Sequence, residues 1–374
     1  MDISLASGEK SFFQKVDWVL VILILGLHIL GLINLYSATH GPLDKNVAGL
    51  FINQMIWLSV GWTVFFAMTV LDYGLFNRLA YVIYFLNLMA LLYVTLFGKV
   101  ALGAQRWIDF GSFQYQPSET MKLAMVVVLA RGLSQYSTHG RGLGFRELAW
   151  PLFLLLLPFG LVVEQPDLGT SMMITSVSVS MIIFCKVRRS IIVGAFVLMA
   201  ITLPLAWKYG LHDYQRNRVL TFLSPNNDPR GTGYNSIQSR IAVGSGQFFG
   251  KGYRNGTQSQ LEFLPERHTD FIFSVLSEEW GFVGSLFTLG IFAWLFYTLV
   301  RIASGARDKF GALICVGVLC YVFWHMFVNI GMVIGLLPIV GIPLPLVSYG
   351  GSSMLTTMTG LGLASSVAYR RYIF

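Results

Sequence analysis

The feature that most constrains this chain is a succession of apolar stretches. They run for about 17–25 residues each, the length that spans the hydrocarbon core of a bilayer. Ten can be marked: 18–37, 55–71, 79–97, 117–133, 148–163, 169–184, 191–207, 281–300, 310–335 and 351–369. Lipid satisfies no backbone polar group, so each stretch must close its own hydrogen bonds as a helix. Composition agrees. The 374 residues are 55% hydrophobic and 12% charged, whereas a soluble domain carries about 25% charged residues. A large soluble core is excluded. The expected fold is all-α: a polytopic membrane protein of about ten transmembrane helices, forming one domain over 1–374. The first apolar run starts at Trp18 and has no small-residue cleavage site after it, so it reads as a membrane helix rather than a signal peptide. Cys185, Cys315 and Cys320 lie in or beside apolar runs, with neither disulfide nor zinc spacing.

Cationic residues set the expected orientation. With the N-terminus inside, Lys10, Lys15, Arg78, Arg131, Arg141, Arg146, Lys186, Arg188, Arg189, Arg301, Arg307, Lys309, Arg370 and Arg371 all become cytoplasmic. The short outer loops then hold only Lys45, Lys99 and Arg106. Both termini are expected inside. One segment departs from this pattern: the large outer loop 208–270, between spans seven and eight, carries Lys208, Arg216, Arg218, Arg230, Arg240, Lys251, Arg254 and Arg267. Long loops escape the charge rule, and aromatic residues spread among its glycines predict a folded loop with amphipathic helices. In "GYNSIQSRIAVGSG", Ile237 and Ile241 share a helix face, and Gly244 and Gly246 end the helix. A second irregular piece, "LLPIVGIPLPLVSYGG", is apolar, yet Pro338, Pro343 and Pro345 forbid a regular helix. Irregular backbone at membrane depth must be buried in protein or line a cavity, and this piece reads as a re-entrant loop on the outer side. The glycines of "VSYGGSS" follow no strand and bring no lysine, so no phosphate-binding loop is expected there.

Ionisable residues at membrane depth mark function, and here they fall into three clusters. In "RWIDFGSFQYQPSETMK", Pro117 and Ser118 begin a helix with Glu119 in its first turn. Glu119 and Lys122 share a face; they form either a local ion pair or part of an outward cavity with Gln116 and Arg106. In "EQPDLGTS", Asp167 either caps the sixth span, or joins Glu164 across the Pro166 break to position a sugar hydroxyl or supply oxygen to a divalent cation. In "LPERHTDFIF", Thr269 or Asp270 can cap a helix that starts near Phe271 and carries Glu278 and Glu279 before the eighth span. A carboxylate at that depth can also serve as a general base. His325 and Asn329, four apart in the ninth span, share a helix face, where His325 reads as an interhelical hydrogen-bonder rather than a metal ligand.

"LEFLPERHTDFIFSVLSEEWGFVG", "WIDFGSFQYQPSE", "EQPDLGTS", "YQRNRVLTFLSPNNDPRGTGYNSIQSRIAVGSG" and "NIGMVIGLLPIVGIPLPLVSYGGSS" together resemble the shape, elongation, division and sporulation (SEDS) family. The resemblance covers nearly the whole chain, and "LPERHTD" is closer to the elongation branch, RodA, than to the division branch, FtsW. It implies a ten-span peptidoglycan glycosyltransferase of the bacterial cytoplasmic (inner) membrane with its active site on the outer face. It also implies lipid II as substrate, undecaprenyl-linked glycan as product, and a class B penicillin-binding protein as transpeptidase partner. The family's essential aspartate carries over to Asp270. Its cavity residues carry over to Gln116, Glu119 and Lys122 through "QPSExxK". Gln114 departs from the family pattern, in which a basic residue is frequent there.

On this reading Asp270 is the base. Arg216, Arg218, Arg240, Lys251 and Arg267 are candidates to neutralise a lipid pyrophosphate, together with a divalent cation, Mg2+ or Mn2+. Neither an organic cofactor nor nucleic acid is expected. A flippase for lipid-linked precursor shares the polar cavity, but it needs acids along an inward path as well. The membrane-depth acids cluster on the outer side, which favours outer-leaflet chemistry.

Overall fold

The computed structural model describes residues 12–39, 48–101, 104–109, 111, 114–136, 142–210, 213–224, 233–261 and 263–371. Lys10, Lys45, Arg141 and Arg230, used above for orientation, lie outside them. In chain order the helices are α1 (Phe12–Lys15), α2 (Trp18–Thr39), α3 (Ala48–Val70), α4 (Tyr73–Phe97), α5 (Pro117–Ser134), α6 (Phe145–Glu164) and α7 (Leu168–Phe184). They continue as α8 (Arg189–Leu205), α9 (Asp213–Leu223), α10 (Tyr234–Ser245), α11 (Thr257–Gln260), α12 (Ile272–Ser304), α13 (Lys309–Val333) and α14 (Gly351–Arg370). Each expected span falls on one of these helices. Among the described residues seven helices are long and apolar enough to cross a membrane: α2, α3, α4, α6, α8 with its π-helical extension, α12 and α13. α7 is apolar but shorter, and α5 and α14 carry more small and polar side chains.

Those polar helices are the centre of the bundle. From Pro117 to Leu133, α5 is buried except at Thr120 and Arg131. α13 crosses it where a Cβ on Gly317 would lie 2.3 Å from a Val126 methyl, so only glycine permits the approach. α14 packs on α3 the same way: a Cβ on Gly362 would meet the Phe65 carbonyl oxygen at 2.8 Å. Helices in lipid gain little from apolar contact and instead associate through close backbone packing at small residues. α8 is the opposite case. It is apolar all round and has no buried residue.

Three short strands, β1 (Lys99–Ala101), β2 (Ala104–Asp109) and β3 (Gln114–Tyr115), form a small antiparallel sheet between α4 and α5. An all-α reading did not anticipate them. The loop 208–270 is folded where described, holding α9, α10 and α11, and α10 ends at the expected place, with Gly246 as its C-cap.

α12 is two helices joined at a break, where Gly281 has φ 66°. The loop fills the break. Lys251 and Gly252 N–H groups donate to the Glu278 and Glu279 carbonyls at 3.0 Å each, while Phe282 and Val283 donate to Gln247 and Phe248. Four backbone groups that a broken helix would strand are thereby paired.

Candidate active site

The site forms where α13, the start of α12 and the segment 335–350 meet. The "HTD" backbone is clamped at three consecutive carbonyls. His268 O accepts from Tyr349 N at 3.0 Å, Thr269 O from Ser348 Oγ at 2.6 Å, and Asp270 O from Asn329 Nδ2 at 2.8 Å. Asn329 also donates to Ile342 O at 2.7 Å. One buried amide thus ties Asp270 to the proline-rich segment, in which Ile342, Leu344, Leu346, Val347 and Ser348 are buried while Leu336 is exposed. Glu266, at φ 50°, turns the chain into the clamp.

Asp270 does not cap α12. Phe271 occupies the N-cap position, and no side chain makes a capping bond there. The carboxylate instead lies against Gly341, whose φ is 72° and whose missing Cβ would sit 3.3 Å from Asp270 Oδ2. Any side chain at 341 would be strained and would crowd the carboxylate. Burial, and then the charge of Glu266, push the Asp270 carboxyl up to about 6; Arg218 pulls in the opposite direction.

One turn earlier on α13, His325 reaches the first cluster. Lys122 Nζ lies 2.7 Å from His325 Nε2 and 2.7 Å from Glu119 Oε1. Glu119 and Lys122 are 6% and 2% exposed, so this is a buried pair rather than a surface one. Glu119 Oε2 has no hydrogen-bond partner among the described residues. Gln116, the N-cap residue of α5, makes no capping bond and is half-buried. His325 and Asn329 therefore bring the Glu119–Lys122 pair and Asp270 to one face of one helix, one turn of about 5.4 Å apart along its axis.

The second cluster supports this region from behind. Asp167 takes its capping role: Oδ1 accepts from Thr170 N at 3.1 Å and Oδ2 from Thr170 Oγ1 at 2.9 Å. Arg106 Nε lies 3.6 Å from Asp167 Oδ2, and the same guanidinium donates to the carbonyls of Gln165 and Pro166. These contacts fix the α6–α7 corner. Gly169, just beyond it, abuts the segment: a Cβ there would be 2.9 Å from Val340 O, next to Gly341.

The five candidate cations separate. Lys251 pairs with buried Glu278 at 2.7 Å. Arg267 Nε donates to Ala38 O, at the end of α2, at 2.7 Å. Arg216 donates to Trp207 O at 3.1 Å and Lys208 O at 3.0 Å, at the end of the π-helical turn. Arg240 reaches Gly335 O at 3.5 Å. Arg218 is exposed, its charge acts on Asp270, and it lines a cavity with Thr221, Phe222, Ser236, Leu337, Pro338 and Ile339. Ser236 and Arg240 share a face of α10, so Arg240 borders the same wall.

Sequence reasoning left Ser348 and Gly341 unassigned and gave Asn329 no role beyond its helix face. Asn329→Leu is expected to leave the Asp270 and Ile342 carbonyls unpaired. The cost would be about 2–4 kcal/mol of stability, read as a fall in the thermal unfolding midpoint.

Fold and site together define a polytopic membrane protein with buried carboxylates beside a small cavity that Arg218 lines. The family model described as "Cell cycle protein", of FtsW, RodA and SpoVE, matches residues 17–373. The chain is 38% identical to the peptidoglycan glycosyltransferase MrdB of Escherichia coli K12, over 97% of each chain. It is 32% identical to the peptidoglycan glycosyltransferase RodA of Treponema pallidum, over 95% of this chain and 98% of that one. Among solved structures, the rod shape determining protein RodA of Thermus thermophilus matches with a TM-score of 0.71 and 29% identity, covering 96% of this chain and 98% of that one. A chain from a structure described as a peptidoglycan synthase complex coordinating polymerization and crosslinking matches with a TM-score of 0.82 and 30% identity, covering 96% and 99%. The protein belongs to the FtsW, RodA and SpoVE family.

Proposed function

We propose that this chain is a peptidoglycan glycosyltransferase that polymerises lipid II into β-1,4-linked glycan on the outer face of the bacterial inner membrane, for elongation and rod shape. Both termini lie in the cytoplasm and ten helices cross. One observation supports the reading most: Asp270 is free of any capping task, held by a clamped backbone, and raised to about 6. A base is most effective when its pKa lies near the working pH.

The Asp270 carboxylate takes the proton of the acceptor sugar's 4-hydroxyl as that oxygen attacks the anomeric carbon of the α-linked donor. The bond from that carbon to the pyrophosphate oxygen breaks, and undecaprenyl pyrophosphate leaves with the electron pair. Attack from the opposite face inverts the centre and gives the β-1,4 link. Cations stabilise the charge that grows on the leaving group; Arg218, with Arg240 on the same wall, is placed best for this. Gln116, Glu119 and Lys122 bind polar groups of the lipid-linked sugars. Arg106 and Asp167 serve the site by fixing the corner against Val340.

A divalent cation, Mg2+ or Mn2+, would arrive on the pyrophosphate. Among the described residues no group of three or more His, Cys, Asp or Glu is placed to hold one, so the donor set does not make an all-protein site. The transpeptidase partner is a class B penicillin-binding protein, in keeping with the peptidoglycan synthase complex to which the fold is similar.

The test is to supply lipid II to the purified protein with its partner and resolve glycan length on gels. A ladder of long glycans is expected. Translocation of lipid II across vesicles with no polymer formed would establish the flippase reading instead.

A further inference from the structure

Lys122 is buried at the centre of the bundle, and an ammonium there needs an acceptor for each hydrogen it can place. Glu119 Oε1 takes one at 2.7 Å, and the Tyr321 ring centroid lies 5.6 Å away. The remaining close partner is His325 Nε2, at 2.7 Å. An ammonium only donates, so Nε2 must accept and carries no hydrogen. The other ring nitrogen reaches the same answer independently. Nδ1 lies 2.8 Å from Tyr321 O, a carbonyl that only accepts, so Nδ1 carries the hydrogen. Both contacts require one neutral tautomer, locked by the helix's own carbonyl one turn back. Tyr321 is itself held, its hydroxyl 3.2 Å from Thr357 Oγ1 and its ring centroid 4.3 Å from the imidazole. No ring lone pair remains for a metal.

The contact has a consequence for Glu119. A lysine pressed only against a carboxylate would share its hydrogens between both oxygens. Here His325 draws one hydrogen aside, and Glu119 Oε2 stays without a partner although it is buried. That oxygen is an acceptor kept available for a donor brought by a ligand. Building on the lipid II reading above, we infer that His325 is a positioning residue: its Nε2 lone pair holds the Lys122 ammonium off Glu119 Oε2, which then receives a hydroxyl or amide hydrogen of the lipid-linked sugar.

Two substitutions separate this role from simple packing. In His325→Gln the amide oxygen can occupy the place of Nε2 and accept from Lys122. In His325→Asn the amide ends near the place of Nδ1 and leaves Lys122 to fall onto Glu119. The Gln variant is expected to stay within roughly threefold of the parent in kcat/KM for lipid II polymerisation. The Asn variant is expected to lose on the order of tenfold, the worth of one well-placed hydrogen bond, mainly through KM. Equal behaviour of the two variants would overturn the inference. An independent readout uses the full-length protein labelled with 15N-histidine. The resonances lost in His325→Gln belong to His325. They are expected to report a protonated Nδ1 and a bare Nε2 that shifts in Lys122→Met. An imidazolium, or a protonated Nε2, would overturn the inference even if polymerisation proceeds. A parent that makes no polymer yet shows the stated tautomer and shift would remove the polymerase reading and uphold the His325–Lys122 contact.

Discussion

Replacing Asp270 with asparagine is expected to lower the rate of glycan polymerisation by roughly 10²–10⁴-fold, the range lost when a general base is removed. Asparagine keeps the shape of the side chain and leaves the backbone clamp through His268, Thr269 and Asp270 untouched. It cannot take a proton from an attacking hydroxyl. The fold should not suffer. The Asp270 carboxyl is raised to about 6, so its ionised form is disfavoured in the folded protein, and the stability it contributes below its unfolded pKa is lost as pH rises through about 6. At neutral pH the neutral amide therefore relieves a cost. The expected result is an unfolding midpoint equal to or above the parent's alongside lost activity. Full polymerisation by Asp270→Asn would show that the base lies elsewhere.

Lys122→Met is expected to abolish polymerisation and to destabilise the bundle by about 3–5 kcal/mol, the usual cost of leaving one member of a buried ion pair alone. Methionine nearly matches the lysine stem in volume, so the loss is electrostatic. Glu119, 6% exposed, would lose its ammonium partner, and His325 Nε2 would accept from nothing. Adding Glu119→Gln should recover much of the stability but none of the activity. Exchanging the charges, Glu119→Lys with Lys122→Glu, should restore neither. A carboxylate at 122 would face the lone pair of His325 Nε2 with no hydrogen between them. Rescue of polymerisation by the exchange would mean that the pair is only structural.

Much of the frame was legible because a bilayer leaves a chain few options. Long apolar runs had to be helices, and each marked run lies on one. The break near Gly281 could be suspected from Glu278 and Glu279 standing just before an apolar stretch. What fills the break could not, since Gln247–Gly252 meets it through backbone groups that every residue possesses. The same holds for the clamp on "HTD". Its donors are Tyr349 N, Ser348 Oγ and Asn329 Nδ2, and nothing in sequence spacing says which carbonyl a distant serine or asparagine will reach. Asp270 was expected either to cap a helix or to act as a base, and only the backbone at Phe271 decides that the cap is not its task. Asp167, expected to cap a helix, position a sugar hydroxyl or ligate a cation, makes the cap because Thr170 offers both an N–H and a hydroxyl in its first turn. The cations were the least legible. Arg267 and Arg216 were nominated for their charge, and spacing alone did not show that each also donates to carbonyls at the end of a helix, where a guanidinium completes unpaired groups and favours the dipole.

The proposed mechanism needs Asp270 to act as a base whose ionisation falls close to the working pH. The most direct measurement is the initial rate of lipid II polymerisation by the parent protein between about pH 5 and 8, at substrate well below KM, where kcat/KM reports the base of the free enzyme. A protonated Asp270 cannot accept the acceptor's proton, so the rate should rise about tenfold per unit at the acid end, bend near 6 and level above it. A rate that stays flat across this range, in a protein that remains folded throughout, would contradict the account.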